Sequence, residues 1–330
     1  MIKDVIERSG RLLTNIQEYI RKIEHWVTSE FAKLNKPVSS IYETIKSSGN
    51  EIVLRISAEN EVYYFKSVGI AWAFECPLSN YLSVRHPGKT TTIVAVHPTE
   101  PWMLMKEVKG NLLRKTKDKK VWQRALQEYA ELQVQEVKHA QKLIELGIPD
   151  RRIHILKEQI DHHLEDMFQT GLNEEETKTI MEIKPELLEM CEIMDSLIPP
   201  SLDHGDLHSA NIYEQDGRSV FIDWGDASVT HPFFSTRIFW NSLDELIDNE
   251  SEWLDMTNEF RPYYLEPWTT FGTMKQLEEM LKVSDQLGCL HRGIGWHLYT
   301  LPFQNREEFK NRPAQWLQVL LEYRGLIRNV

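Results

Sequence analysis

Asp203-His204-Gly205-Asp206-Leu207-His208-Ser209-Ala210-Asn211-Ile212-Tyr213, followed by Val220-Phe221-Ile222-Asp223-Trp224-Gly225-Asp226, is the part of the chain whose reading decides its fold. Two polar clusters are each set against apolar residues. Ile212-Tyr213 and Val220–Ile222 have the composition of short strands, and Asp216-Gly217 between them is a hairpin turn dipeptide. Pairing those strands brings the loop before the first beside the end of the second. Asp206, Asn211 and Asp223 then converge.

Such a trio suits phosphoryl transfer. One carboxylate must orient an acceptor hydroxyl and take its proton, and oxygen ligands must hold Mg²⁺ on the phosphates. Magnesium accepts one or two protein oxygens and completes its shell with water and phosphate. By chance alone His-Gly-Asp carries little information. The asparagine at its spacing and an apolar-flanked aspartate after a hairpin make the set specific.

Working outward, residues 11–34 have apolar positions at helical spacing, from Leu12 to Val27, and Lys36-Pro37 ends the pattern. Ile41–Ile45, Glu51–Ile56 and Glu61–Val68 read as strands, with turns at Ser47–Asn50 and Ala58–Asn60. A helix is expected around 71–85, with Phe74, Leu78 and Leu82 on one face, then strands Thr91–Val96 and Trp102–Glu107. Trp122, Leu126, Tyr129, Val137, Ala140 and Ile144 predict one long amphipathic helix stopping at Gly147 and Pro149. Asn173 with Glu176 predicts a capping box opening the next helix. Several further helices follow Trp240. The fold class expected is α+β: a small antiparallel lobe with one helix over 1–109, and a larger, mostly helical lobe over 110–330.

Composition limits the alternatives. The 330 residues are 41% hydrophobic and 27% charged, with a formal net charge of −12. That balance disfavours a nucleic-acid partner. No run reaches the roughly 18 apolar residues of a membrane helix, and the N-terminus does not read as a signal peptide. Cys76, Cys191 and Cys289 are scattered, with no zinc spacing, and read as reduced thiols of a cytoplasmic protein.

The stretch His204–Asn211 resembles the catalytic loop shared by protein kinases and the aminoglycoside phosphotransferase and choline kinase family. Gly205, where protein kinases carry arginine, points to the latter, as does Phe221-Ile222-Asp223-Trp224-Gly225-Asp226 in place of Asp-Phe-Gly. The resemblance implies a bilobal protein-kinase-like fold and an ATP- and Mg²⁺-dependent kinase. Asp206 would be the catalytic base, and Asn211 and Asp223 the metal ligands. Tyr64-Phe65-Lys66 is similar to the strand carrying the phosphate-binding lysine, and Glu75 to its helix partner. Leu104–Gly110 is similar to the hinge, giving adenine the Lys106 carbonyl and the Val108 N–H. The first hairpin lacks the kinase glycine motif, so phosphate cradling there falls to backbone N–H groups and to Ser48. Pro77, taken as the first helical position, would leave Glu75 outside the helix. His208 stands where protein kinases have a lysine.

The acceptor expected is a hydroxylated small molecule: aminoglycoside-like, an amino alcohol or a sugar. The acidic run from Asp244 to Glu266, opposed only by Arg261, points to a cationic one, against the plainer reading of a solvated acidic face. A protein acceptor is the first alternative, though no Ala-Pro-Glu follows Asp223. A non-catalytic nucleotide-binding regulator is the second. His204, Asp226 and His231–Phe234 read as structural, and Trp240, Trp253, Trp268 and Trp296 as core.

Overall fold

The computed structural model describes residues 16–47, 51–303 and 307–327. The chain forms two compact units: Met1–Gly110 with Gln215–Gly225, and Asn111–Glu214 with Asp226–Val330. The fold class is α+β. Residues 11–15 of the first expected helix and the turn residues 48–50 lie outside the described residues.

The first unit opens with helix α1 (Ile16–Lys33) and strands β1 (Val38–Ser47), β2 (Glu51–Ala58) and β3 (Glu61–Val68). Helix α2 (Glu75–Arg85) and strands β4 (Ile93–Val96) and β5 (Trp102–Lys106) follow. The strands form an antiparallel sheet in the order β1-β2-β3-β5-β4. Strand periodicity decides what each face carries, because alternate side chains point to opposite sides. Ile52, Leu54 and Ile56 of β2, Tyr63 and Phe65 of β3, and Trp102 and Leu104 of β5 pack with Ile23, Trp26, Val27 and Phe31 of α1. The opposite face packs Val68 and Met103 with Cys76 of α2. Lys66, one residue past Phe65, therefore projects to the side carrying α2.

Helix α2 corrects one expectation. It begins at Glu75 itself, so Pro77 is the third helical residue rather than the first. A missing N–H is tolerated in a first turn, where backbone donors have no intrahelical acceptor.

The second unit starts with strand β6 (Asn111–Leu112) and helices α3 (Lys119–Glu136), α4 (Ala140–Glu145), α5 (Ile153–Phe168) and α6 (Glu174–Met194). The single helix expected through Ile144 is interrupted by a 3₁₀ turn at Val137–His139. The Ser201 hydroxyl donates to the Gln133 carbonyl (2.6 Å), and the Gln133 amide reaches Leu202 O and Pro232 O (2.8 and 3.0 Å). The Val137 N–H still donates to the same Gln133 carbonyl, so these bonds tie the end of α3 to the β7 segment without displacing the helical ladder. The capping box of α6 forms as expected, with Asn173 and Glu176 exchanging bonds of 2.9 and 2.8 Å.

Strands β7 (Ser201–Asp203), β8 (Ile212–Gln215), β9 (Arg218–Phe221) and β10 (Ser228–Thr230) then carry the motif residues. Asp216 and Gly217 join β8 to β9 with φ of 52° and 77°, the left-handed pair that a type I′ turn requires. Antiparallel pairing of β7 with β10 sets Asp203 opposite Ser228. Helices α7 (Phe234–Ser242), α8 (Trp253–Leu265), α9 (Met274–Gly295) and α10 (Arg312–Tyr323) complete the unit. Trp240 and Trp268 are fully buried, while Trp253 and Trp296 are only partly so. Among the described residues no helix is long and apolar enough to cross a membrane.

Candidate active site

In the first unit the site is built around one ammonium group. Lys66 Nζ lies 2.6 Å from Glu75 Oε1, 2.6 Å from Asp223 Oδ1 and 3.5 Å from Glu51 Oε2. Burial alone would strip the proton from such a lysine. The carboxylates of Asp223, Glu75 and Glu51 outweigh it and hold the group cationic, well above the ordinary lysine range. Three acids around one cation leave an excess of negative charge. Burial, with the neighbouring carboxylates adding to it, pushes Glu75 up to about 7 despite the attraction of Lys66. Gly225 backs onto this cage: a Cβ there would sit 3.2 Å from Glu75 Oε2. Asp223 has φ of 63°. A non-glycine residue in the left-handed region is strained, and such strain concentrates at functional sites.

In the second unit the site is built around a carboxylate. Arg292 of α9 donates to Asp206 Oδ1 (2.9 Å) and to Asp226 Oδ2 (3.2 Å). His208 Nε2 lies 3.3 Å from Asp206 Oδ2. His208 Nδ1 accepts the Ala210 N–H (3.1 Å), which leaves its proton on Nε2, facing Asp206. Burial works to raise the Asp206 carboxyl, but Arg292 and then His208 hold it well below the usual range. Asp206 is therefore ionised throughout the physiological pH range.

The loop around this carboxylate is held in place by identifiable bonds. His208 N–H donates to Asp206 O and Asn211 N–H to His208 O, both 2.8 Å. The Asn211 side-chain NH₂ donates to Asp206 O at 3.0 Å. With its nitrogen committed there, the amide offers its oxygen to a cation. Ser209 Oγ donates to Glu245 (2.7 Å), and its N–H reaches Ser242 Oγ (3.1 Å). His204 is wholly buried; its N–H donates to Tyr129 Oη (3.0 Å), and its Nδ1 lies 3.4 Å from the Asp206 N–H. Ser235 donates to Asp203 and bonds Tyr129. Gly205 has φ of +75°, and a Cβ there would fall 2.0 Å from the Asp226 carbonyl oxygen. The arginine that protein kinases carry at this point cannot occupy this backbone.

In the first unit Asp223 carries a carboxylate and in the second Asn211 carries an amide oxygen; each is a hard donor of the kind magnesium prefers. At the hinge, the Lys106 and Glu107 N–H groups donate to Thr92 O (2.9 Å) and Val62 O (3.1 Å). Val108 is the next N–H, just past the end of β5. Ser48 lies outside the described residues. Asp226, read as structural, is one of the two carboxylates that Arg292 holds. His231 is buried beside Phe233 and Phe234, and burial takes its ring down to about 3, so it stays neutral.

Sequence reasoning missed Arg292. Gly288, Gly293 and Gly295 interrupt an otherwise good helix around it, at about 1 kcal/mol each relative to alanine, but they make room for other groups. A Cβ on Gly288 would meet Arg237 at 3.4 Å, and one on Gly295 would meet Arg151 at 2.9 Å. Gly288 and Gly295 thus admit Arg237 and Arg151 against α9, while Gly293 faces Met167.

Residues 85–249 match the model of the phosphotransferase enzyme family. No curated protein matches the chain. Among solved structures, it is similar to a Plasmodium vivax ethanolamine kinase, with TM-score 0.63 and 15% identity over 97% of this chain and 93% of that one. A choline/ethanolamine kinase family protein from Mesorhizobium loti gives TM-score 0.62 and 12% identity over 91% and 95%. An aminoglycoside phosphotransferase in ternary complex with AMP-PNP and hygromycin B gives 0.52 and 13% over 90% and 98%. At these identities the likeness is one of fold.

Proposed function

Because the chain belongs to the phosphotransferase enzyme family, a family of small-molecule kinases, we propose that it moves the γ-phosphoryl group of ATP to the hydroxyl of a small molecule, with Asp206 as base and Asn211 and Asp223 as magnesium ligands. The observation that carries this reading is the state of Asp206. It is an ionised carboxylate fixed by Arg292 and His208, in the same short loop as an asparagine whose amide nitrogen is already bonded.

The chemistry follows from those roles. Asp206 accepts a hydrogen bond from the acceptor hydroxyl, orients its oxygen toward the γ-phosphorus, and takes the proton as the new P–O bond forms and the bond to the β,γ-bridging oxygen breaks, ADP leaving with that electron pair. Lys66, held cationic by its carboxylates, neutralises phosphate charge. Bound Mg²⁺ supplies further charge neutralisation on the phosphates. The Lys106 carbonyl and Val108 N–H serve adenine, and Ser48 the phosphates. Use of ATP and three buried free thiols fit a cytoplasmic enzyme.

We read the acceptor as hydroxylated and cationic, from the acidic run between Asp244 and Glu266. Part of that run is already engaged: Glu245 pairs with Arg114, Glu259 with Lys119, and Glu266 accepts from Gln127. Exposed Asp255 remains to steer a cation. KM for a cationic acceptor should rise with salt, because screening shortens electrostatic reach to about 10 Å at 0.1 M. A neutral or anionic preferred acceptor would remove this part of the reading. A protein acceptor fits less well, since only a short strand and His231-Pro232 separate Asp223 from α7.

The deciding experiment is an ATP-consumption screen over hydroxylated small molecules, with the phosphate monoester identified by ³¹P NMR. Asp223→Ala should abolish Mg²⁺-dependent turnover of any hit. Parental turnover in that variant would remove Asp223 as a ligand.

A further inference from the structure

Far along the sequence from the catalytic loop, α5 carries a second, chemically different cluster. Ile153, Leu156, Ile160, Leu164 and Met167 form its buried stripe. Gln159, His163 and Asp166 follow one another at intervals of four and three, so they line one side of the helix. Opposite them runs Trp296–Thr300, a five-residue π-helix that continues α9. Such segments are rare, and they re-aim side chains relative to regular helix, often at functional positions. Here the segment turns Tyr299 and His297 toward α5. Gln159 Nε2 donates to Tyr299 Oη at 2.7 Å. One turn further along, the rings of His163 and His297 have centroids 6.1 Å apart.

His163 Nδ1 lies 3.5 Å from Asp166 Oδ2, and one donor atom from each of His163, Asp166 and His297 falls within 4.8 Å of the others. Tetrahedral zinc with bonds of about 2.0–2.2 Å sets its donors about 3.3–3.5 Å apart. The histidine–aspartate spacing already meets that value, and donors that all lie within 4.8 Å of one another leave His297 at most about 1.3 Å to close. Both His163 and His297 are partly exposed and can turn.

We propose that His163, Asp166 and His297 bind one divalent transition-metal ion of the zinc, cobalt and nickel class. Two imidazoles and a carboxylate suit these borderline ions, whereas magnesium prefers an all-oxygen shell. Three protein ligands leave a fourth position for water or an external donor. The ion would fasten the π segment to α5 and is distinct from the proposed magnesium ligands.

The test uses tag-free, chelator-treated full-length protein without nucleotide, titrated with Co²⁺ and read by its visible d–d absorption, with Zn²⁺ as competitor. One equivalent should bind with a tetrahedral spectrum. Loss of a mere outer-shell partner weakens metal sites about 10–100-fold, so His163→Asn and His297→Asn should each weaken binding at least about 100-fold. His162→Asn is the control, because its Nδ1 lies 2.7 Å from the Glu158 carbonyl oxygen. It should bind Co²⁺ like the parent, as should Asp223→Ala. Unchanged melting curves would confirm folding. No tetrahedral spectrum, binding that survives both ligand substitutions, or binding lost in Asp223→Ala or His162→Asn would overturn the proposal.

Discussion

Lys66 in the first unit and Asp206 in the second are fixed by opposite arrangements of charge. Lys66 is a cation among three carboxylates, and its side chain is only 7% exposed. Asp206 is a carboxylate between a guanidinium and an imidazole, yet its side chain stays 32% exposed. The cage around Lys66 is over-determined, as suits a group that must present a fixed charge. The clamp on Asp206 holds both oxygens while leaving a path to them, as suits a group that must receive a proton from outside. Both sites use charge to hold a protonation state, but only Asp206 stays open enough for the proton transfer proposed for it.

The contrast fails first if Asp206 is not the base. Asp206→Asn should lower kcat about 10²–10⁴-fold, the usual contribution of a positioned general base, and leave nucleotide affinity intact. Steady-state rates with the best acceptor, alongside a nucleotide-binding titration, check this. Near-parental kcat would leave the clamp without a catalytic purpose.

A stability measurement tests the other half. Removing one partner from a buried ion pair typically costs about 3–5 kcal/mol, so Lys66→Met should unfold at clearly lower denaturant. The deficit should depend on pH. Glu75, raised from 4.5 to about 7, holds its proton more tightly folded than unfolded. Its contribution is complete below pH 4.5 and is lost as pH rises through 7. Without Lys66 that loss deepens, so the deficit should be larger at pH 8 than at pH 5.5. A deficit that shrinks with pH would refute the excess-acid account of the cage.

The smallest expected effect is the most specific. Arg292→Met should leave kcat near pH 8 within a few-fold of the parent but move the acid limb of the pH–rate profile upward. The Asp206 carboxyl is depressed mainly by Arg292, so without it the base protonates as pH falls toward the ordinary carboxylate range. An unmoved limb would mean that His208 alone sets the charge of Asp206.

What the sequence disclosed and what it hid divides along the same lines. Asp206 and Asn211 stand five residues apart in one loop, and the Asp216-Gly217 turn is itself a local signal, so both could be read from neighbours in the chain. Lys66 is singled out by the likeness of Tyr64–Lys66 to a kinase strand together with Glu75; strand alternation accounts for the side to which it projects. Arg292 lies 86 residues beyond Asp206, and nothing adjacent to either announces the other; only packing of α9 brings them together. The 3₁₀ turn at Val137–His139 was hidden because Val137, Ala140 and Ile144 continue the helical spacing across it. Pro77 misled because a proline fits any position of a first turn, and the sequence did not reveal which.

Gly205 carries a consequence for how this protein can vary. With the Asp226 carbonyl oxygen 2.0 Å from where a Cβ would stand, not even a methyl group can be accommodated without moving backbone. In a saturation scan every substitution at 205 should be lost. Gly147 and Gly217, whose added Cβ would meet nothing within 4 Å, should instead show graded losses set by backbone strain alone. Single-nucleotide drift toward the arginine of protein kinases is therefore blocked at its first step. Crossing would require the segment after Asp223 to be re-routed beforehand, so the glycine acts as a lineage lock on the loop.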